Sequence, residues 1–325
     1  MPVISYREAV ARALREALDE DERVFLVGED IGPYGGSFAV TRGFWEEYGE
    51  RRIKDSPLSE AVIVGAGVGA AMAGLRPIVE IMTINFALLA MDQIVNHAAK
   101  IRYMSGGQFS VPLIVRTVTG AGASVGATHS QSFENWFASV PGLYVVVPAT
   151  PQDALGLFRT CRELQNPVIF VEHILLYGTR GEVPASPYKI ALGQADVKRA
   201  GTDVTIASYS RMVQISLAAA EQLAGEGIQA EVIDLRTLRP LDTDTVVKSV
   251  EKTHHLVVVE ETSQLGGFAG EVVSQVQRKA FDYLDAPIER VAGEEVPIPY
   301  SMPLERLAIP DAQRVAQAAR RLLAS

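Results

Sequence analysis

Short apolar runs alternate with segments of helical periodicity along the first half of the chain. Ser5 and Glu8 form a capping-box pattern, so a helix is predicted to begin after Ser5. Val10, Leu14 and Leu18 follow at four-residue spacing and give that helix one apolar stripe. Strands are then predicted at 23–27, 77–82, 112–116, 143–147 and 168–172, with helices at 60–73, 86–102 and 151–164. Apolar runs separated by helices indicate a parallel sheet covered on both faces.

The alternation stops and then restarts in the second half. Residues 181–200 contain Pro184, Pro187 and several charges without clear periodicity, and they are predicted to form a linker. Beyond the linker, strands are predicted at 203–208, 229–235 and 255–260, and helices at 212–223, at 242–252 and from Asp311 onward. We therefore predict an α/β fold with two open α/β domains, a larger one with a parallel sheet at 1–180 and a smaller one at 201–325.

Composition and charge narrow the class of protein. With 325 residues, of which 48% are hydrophobic, the chain can bury sizeable cores. Its net charge is −9 and it has no block of basic residues, so we expect no nucleic-acid partner. The single cysteine, Cys161, excludes an internal disulfide and a cysteine-rich metal site. The apolar stretch at 61–75 is shorter than the about 20 residues of a membrane span, and without a signal-peptide pattern we expect a cytoplasmic protein with no membrane partner.

Glu60 opens a predicted helix rich in glycine and alanine. A carboxylate in the first turn of a helix is favoured by the helix dipole, and this structural role alone would explain it. However, Gly65, Gly69 and Ala73 lie four residues apart on one face and lower helix propensity, which indicates close approach of a partner helix or a ligand. The glycines lie inside the helix and not between a strand and a helix, so a Rossmann dinucleotide site is excluded.

Three other side chains occupy positions that suit chemistry. Met82 and Phe86 follow a buried strand at its carboxyl end, where open α/β sheets bind ligands, although both residue types are more often core. His129 lies in a polar loop after a glycine-rich segment and is an acid/base candidate, although a single histidine is more often structural. The chain has no P-loop, and no Gly-Asp-Gly followed by an asparagine that could hold Mg²⁺ against a diphosphate.

Seven motifs occur in order along the chain. They lie at 27–30 (Val-Gly-Glu-Asp), 55–60 (Asp-Ser-Pro-Leu-Ser-Glu), 68–77, 103–107, 129–131 (His-Ser-Gln), 140–143 and 234–242. In this combination the chain resembles, over essentially its whole length, the β subunit of the thiamine-diphosphate-dependent E1 component of 2-oxo-acid dehydrogenase complexes. That family belongs to the transketolase-like superfamily. The resemblance implies a thiamine pyrimidine-binding domain at 1–180 and a transketolase C-terminal-like domain at 201–325.

The resemblance also implies a cofactor site shared between two subunits. The E1 α subunit would hold Mg²⁺ and the diphosphate, and this chain would hold the aminopyrimidine ring. Glu60 would hydrogen-bond a ring nitrogen, within an apolar wall to which Val62 and Val64 could contribute. Met82 and Phe86 would flank the ring. His129 would act near the substrate, in decarboxylation or in reductive acylation of a lipoyl group.

Further partners and ions follow from the same resemblance. It implies an α2β2 heterotetramer that works with the E2 dihydrolipoyl acyltransferase. Some relatives hold a structural K⁺ through backbone oxygens, and the matching positions here are Leu113, Cys161, Leu164 and Asn166. Leu164 stands where an acid is expected.

Other functions remain as alternatives. A self-sufficient transketolase would need a diphosphate domain for which the chain has no room, and a ferredoxin-linked oxo-acid oxidoreductase would bring cysteine clusters, so this chain could only be a piece without them. A non-catalytic interaction module is the third alternative. Among E1 substrates we expect pyruvate, with branched-chain oxo acids and acetoin as alternatives, because a methylene or two changes specificity by only about 1–3 kcal/mol.

Overall fold

The computed structural model describes residues 1–324, which divide into two compact units. The first unit comprises residues 1–119 and 136–192, and the second comprises 120–135 together with the described residues from 193 onward. The second unit therefore includes a segment from the middle of the chain, and this segment carries His129.

The first unit is built on a parallel sheet. Up to residue 192 the strands are β1 (Val3–Ser5), β2 (Val24–Gly28), β3 (Ile53–Asp55), β4 (Arg76–Ile81), β5 (Ile114–Thr119), β6 (Tyr144–Val146), β7 (Val168–His173) and β8 (Arg180–Glu182). The helices are α1 (Tyr6–Glu20), α2 (Phe44–Tyr48), α3 (Glu60–Met72), α4 (Ile101–Met104), α5 (Glu134–Ala138) and α6 (Pro151–Cys161). The strand order is β6-β7-β5-β4-β2-β3, and all these pairs are parallel. The predicted parallel sheet is confirmed.

Helix α1 shows how local sequence fixes an element. The Glu8 backbone N–H donates to the Ser5 hydroxyl at 3.2 Å, and the Ser5 backbone N–H donates to the Glu8 carboxylate at 2.6 Å. This is the predicted capping box. The apolar stripe of α1, with Leu14 and Leu18, is buried, and α1 packs against α6.

The helix predicted at 86–102 is wrong as a single α-helix. The structure has a 3-10 turn at Phe86–Ala90, a π-helical turn at Gln93–Ala98 and then α4. The Ala99 N–H donates to the Ile94 carbonyl at 3.0 Å, five residues back, which marks an inserted residue. The spacing of apolar residues in the sequence does not distinguish 3-10, π and α hydrogen bonding, because the side chains take similar positions in the three types of helix.

The second unit has its own sheet. The strands of the unit are β9 (Asp196–Arg199), β10 (Val204–Ser208), β11 (Ala230–Asp234), β12 (Thr237–Arg239), β13 (Leu256–Ser263) and β14 (Glu289–Gly293), and all of them except β12 belong to this sheet. Its helices are α7 (Met212–Ala224), α8 (Thr243–Thr253), α9 (Ala269–Ala280), α10 (Met302–Ala308) and α11 (Ala312–Leu323). The order β14-β13-β10-β11-β9 is parallel except for β9, which pairs antiparallel with β11. Strand β9 lies in the segment 181–200 that lacked periodicity, so part of this segment belongs to a sheet.

Helices cover this second sheet. Helices α7 and α11 pack together, as do α8 and α9. Among residues 1–324, no helix is long and apolar enough to cross a membrane.

Candidate active site

Buried carboxyl groups gather at the carboxyl end of the first unit's parallel sheet. Glu29 follows β2 and Glu60 opens α3, and each is 6% exposed. Both carboxyl oxygens of Glu29 are buried, and the Ser59 backbone N–H lies near them without meeting ordinary hydrogen-bond geometry. Burial and the negative charges of Glu60, Asp30 and Glu80 raise the pKa of Glu29. Glu29 and Glu60 are therefore electrostatically coupled in this site.

The Glu60 residue is buried, but in the described part of the chain its carboxylate makes no hydrogen bond and no ion pair. Ser59, the residue before the helix, makes no side-chain cap. The expected apolar wall is only partly correct, because Val64 is buried whereas Val62 is 63% exposed. The Glu60 carboxylate is therefore available to accept a hydrogen bond from a polar group of a ligand.

Met82 and Phe86 lie on the segment that leaves β4. The Ile84 N–H donates to the Val118 carbonyl at 2.8 Å and fixes this segment to β5. Phe86 begins the 3-10 turn Phe86–Ala90, which packs against α3, the helix that Glu60 opens. Met82 and Phe86 are both half-buried, and the hydroxyl of Thr83 between them is buried with no partner in residues 1–324. The structure thus brings three of the four predicted site residues onto neighbouring elements of one unit.

A charged network behind this site was missed by the sequence analysis. Arg116 donates to Glu172 from Nε at 2.7 Å and from Nη2 at 2.9 Å, and it also bonds Glu80. The Tyr177 hydroxyl donates to Glu172 at 2.7 Å. Each of the three charged residues lies within or at the end of an apolar run predicted as a strand, and this charge in an apolar run was the available signal. The network joins β4, β5 and β7, which are neighbours in the sheet.

His129 lies in the second unit, on an exposed turn. Its backbone N–H donates to the Gly126 carbonyl at 3.2 Å, and its Nδ1 lies 3.0 Å from the Thr128 hydroxyl. Thr128 and Ser130, the residues on either side, line a cavity of about 480 Å³ with Glu261. His129 is therefore exposed, and its two sequence neighbours line the cavity, whereas His129 itself does not.

The oxygens predicted for K⁺ at Leu113, Cys161 and Leu164 already have partners. The carbonyls of Leu113 and Cys161 accept backbone N–H groups at 2.9 and 3.2 Å. The Leu164 carbonyl accepts from the guanidinium of Arg76 at 3.0 Å. A side-chain cation thus occupies the Leu164 position, which argues against a second cation there. The K⁺ site stays a prediction.

Clusters of side chains could also bind a metal ion. Over residues 1–324, no group of three or more His, Cys, Asp or Glu side chains could hold a metal ion. The described residues thus offer no acidic cluster for Mg²⁺.

Comparisons with known proteins match both units. The transketolase pyrimidine-binding domain model matches residues 3–179, and the transketolase C-terminal domain model matches 193–315. The chain is 47% identical over 322 residues to the pyruvate dehydrogenase E1 component subunit beta-1 of Arabidopsis thaliana mitochondria, covering 98% of this chain and 89% of that protein. It is 46% identical to the pyruvate dehydrogenase E1 component subunit beta of Rickettsia felis, covering 98% of both.

Solved structures agree on the fold. A split-gene transketolase, described as an inactive β4 tetramer, has a TM-score of 0.79 and 24% identity, covering 99% of this chain and 98% of that one. A transketolase variant from Pichia stipitis has a TM-score of 0.70 and 16% identity, covering 47% of its own length. At these identities the likeness concerns the fold alone.

Proposed function

The chain belongs to the family of pyruvate dehydrogenase E1 β subunits, and from that membership we propose that it forms half of a thiamine diphosphate site. In this proposal it acts with an E1 α subunit in the oxidative decarboxylation of pyruvate and the reductive acetylation of the E2 lipoyl group. The observation that carries the proposal is the buried Glu60 carboxylate, which has no partner within residues 1–324 and stands beside the segment of Met82 and Phe86.

The residues present suit an aminopyrimidine ring. Glu60 offers a carboxylate that can share a proton with a ring nitrogen. The buried Glu29 lies near it, and the negative charge of Glu60 contributes to the raised pKa of Glu29. Phe86 offers an aromatic face, whose stacking contributes about 0.5–1.5 kcal/mol beyond area burial and orients a flat ring. Met82 completes the apolar side.

The cofactor and the second unit supply the rest. When bound, thiamine diphosphate supplies the carbanion and electron-sink chemistry that 2-oxo-acid decarboxylation needs. His129 holds or releases a proton at its imidazole near the reacting group, in decarboxylation or in acyl transfer to the lipoyl group. Mg²⁺ and the diphosphate are assigned to the α subunit, because this chain has no Gly-Asp-Gly motif.

We propose an α2β2 assembly that delivers the acyl group to the E2 dihydrolipoyl acyltransferase. The outer face of α3 supports a close partner: Val62 is 63% exposed, and a Cβ built at Gly69 would meet no atom of this chain within 4 Å. The cytoplasmic location stays a prediction, because the named relatives include mitochondrial as well as bacterial subunits.

The test uses the chain co-expressed with its α subunit, with thiamine diphosphate and Mg²⁺. Glu60→Gln should reduce turnover of pyruvate at least ~100-fold, the usual scale of acid–base catalysis. Glu46→Gln is the matched control, because Glu46 is an exposed acid in the first turn of α2. Equal activity of the two variants would reduce Glu60 to a helix-stabilising acid and support the interaction-module alternative.

Substrate and cofactor binding are tested on the same preparations. Pyruvate should be turned over faster than 3-methyl-2-oxobutanoate or acetoin, and the reverse order would move the chain to a branched-chain or acetoin enzyme. Because the chain has no diphosphate ligands, its isolated form should not bind thiamine diphosphate at micromolar concentration, with or without Mg²⁺. Tight binding by the isolated chain would contradict the shared site.

A further inference from the structure

The segment 120–131, which we name the His129 loop, is closed by a long backbone hydrogen bond from the Gly120 N–H to the Gln131 carbonyl at 3.4 Å. Gly120, Gly122 and Gly126 have φ values of 100°, 104° and 80°, and Ser124 has a φ of 55°. Glycine has little conformational preference, and a left-handed serine is uncommon. These residues have little intrinsic preference for this shape, so contacts with the rest of the second unit help to determine it.

Glu305 of α10 provides the main contact. Its side chain is 1% exposed, and its carboxylate accepts from the Gly122 N–H at 2.8 Å and from the Ser124 N–H at 3.1 Å. The Ser124 hydroxyl donates to the same carboxylate at 3.2 Å. Charge-assisted bonds of this kind are stronger than neutral ones. They hold the two residues whose left-handed conformations shape the loop.

Two other side chains complete the attachment. Glu261 of β13 accepts from the Ala121 N–H at 2.6 Å. The Tyr300 ring lies against Gly126, where an added Cβ would come within 2.4 Å of it. The Gly126 carbonyl in turn accepts from the His129 N–H. The attachments thus follow the loop from its first residues to the turn that presents the histidine.

We infer that Glu305 and Glu261 are positioning residues for His129. Their contacts described above are with Ala121, Gly122 and Ser124 of the loop, so they act by fixing the position of the loop that carries the histidine. This inference depends on the proposed function in one respect, namely that His129 acts near the substrate. The attachment itself can be measured without any assay of activity.

The first experiment measures hydrogen–deuterium exchange in the assembled complex. In Glu305→Ala the amides of Gly122 and Ser124 should exchange at least ~10-fold faster than in the wild type, whereas those of β13 should not change. Glu251→Ala, an exposed acid on α8, is the control and should leave both sets unchanged. If exchange also rises throughout the second unit, Glu305→Gln decides the question, because it keeps the side-chain volume. Unchanged loop amides in a folded variant would overturn the attachment.

The second experiment measures whether Glu305 acts through His129. Glu305→Gln should lower kcat with little change in KM or in cofactor affinity, and the same substitution added to His129→Ala should cost less than twofold. Losses that multiply in the double variant would overturn the positioning role. If His129→Ala alone leaves turnover intact while the exchange result holds, the proposed role of His129 fails and the attachment of the loop stands.

Discussion

Arg116 and Glu172 form a bidentate ion pair in the interior of the first unit, with side chains that are 2% and 0% exposed. Arg116 also bonds Glu80, which lies in β4 just ahead of Met82. The pair therefore fixes the strand that leads into the proposed pyrimidine pocket. It also gives the carboxyl end of the sheet a buried positive charge among several acids.

Loss of this ion pair should destabilise the first unit. Arg116→Met leaves Glu172 buried and unpaired, and removal of one partner of a buried pair costs about 3–5 kcal/mol. Arg321→Met is the control, because Arg321 is 60% exposed in its pair with Glu289, and exposed pairs contribute about 0–1 kcal/mol. For both variants, the free energy of unfolding is measured by urea denaturation, with hydrogen exchange of the β5 and β7 amides as the readout. A similar small effect for the two variants would contradict a stabilising network.

Glu29 should make stability depend on pH in a defined direction. Its pKa in the folded chain is raised above the ordinary value of 4.5, so the folded state holds the proton more tightly than the unfolded state. Glu29 thus costs nothing below pH 4.5, and it destabilises the fold increasingly as pH rises through its folded pKa. Glu29→Gln should therefore gain stability over the wild type from pH 4.5 to 7. Thermal unfolding across this range measures the gain, and a constant difference between the two proteins would refute it.

Much of the fold was predictable from local pattern. Parallel strands buried on both faces appear as apolar runs, so β2, β4, β5 and β7 were located within a few residues. Strand β14 and helices α9 and α10 were missed. Strand β14 begins with two half-buried charged residues, Glu289 and Arg290, and α10 is short and has exposed Leu304 and Leu307. Segments like these gain their structure from tertiary packing, which a local pattern does not contain.

The site was predictable only where chemistry and chain position coincide. Glu60 begins a helix that the sequence predicted, and Met82 and Phe86 follow a strand that it predicted. The family resemblance then implied their roles. The network of Arg116 was not predictable in this way, because only the strand order places its members side by side. The contact between Gly122 and Glu305 joins residues 183 positions apart, and nothing in either local sequence indicates it.

The glycines of α3 should differ in their tolerance of a side chain. A Cβ at Gly67 would come within 2.7 Å of Val79 and 3.1 Å of Leu113, whereas one at Gly69 would meet nothing within 4 Å. Within this chain the close approach therefore occurs at Gly67, and the predicted approach of a partner helix or a ligand at Gly69 stays a prediction. Gly67→Ala should destabilise the isolated chain by about 1–3 kcal/mol. Gly69→Ala should stabilise it by up to about 1 kcal/mol through helix propensity.

The assembled enzyme distinguishes the role of Gly69. If a partner helix packs on the outer face of α3, Gly69→Ala should weaken association with the α subunit although it stabilises the isolated chain. Light scattering across a dilution series measures the association of the two subunits. Gly227→Ala is not a suitable control, because the φ of Gly227 is 87° and a side chain there would introduce strain. Ala66→Ser, at an exposed position of the same helix, gives a milder change on that face. Undiminished association in both variants would place the α subunit elsewhere.

His129 should affect turnover more than cofactor binding. It lies on an exposed turn beside a cavity of the second unit, whereas Glu60, Met82 and Phe86 belong to the first. A histidine that moves a proton near the substrate contributes about 10²- to 10⁴-fold, so His129→Ala should lower kcat by that range while the dissociation constant of thiamine diphosphate stays within twofold. His254→Asn is the control, because His254 ends α8 with a φ of 61°, which asparagine tolerates. Equal losses in turnover and cofactor affinity would place His129 at the cofactor ring instead of at the substrate.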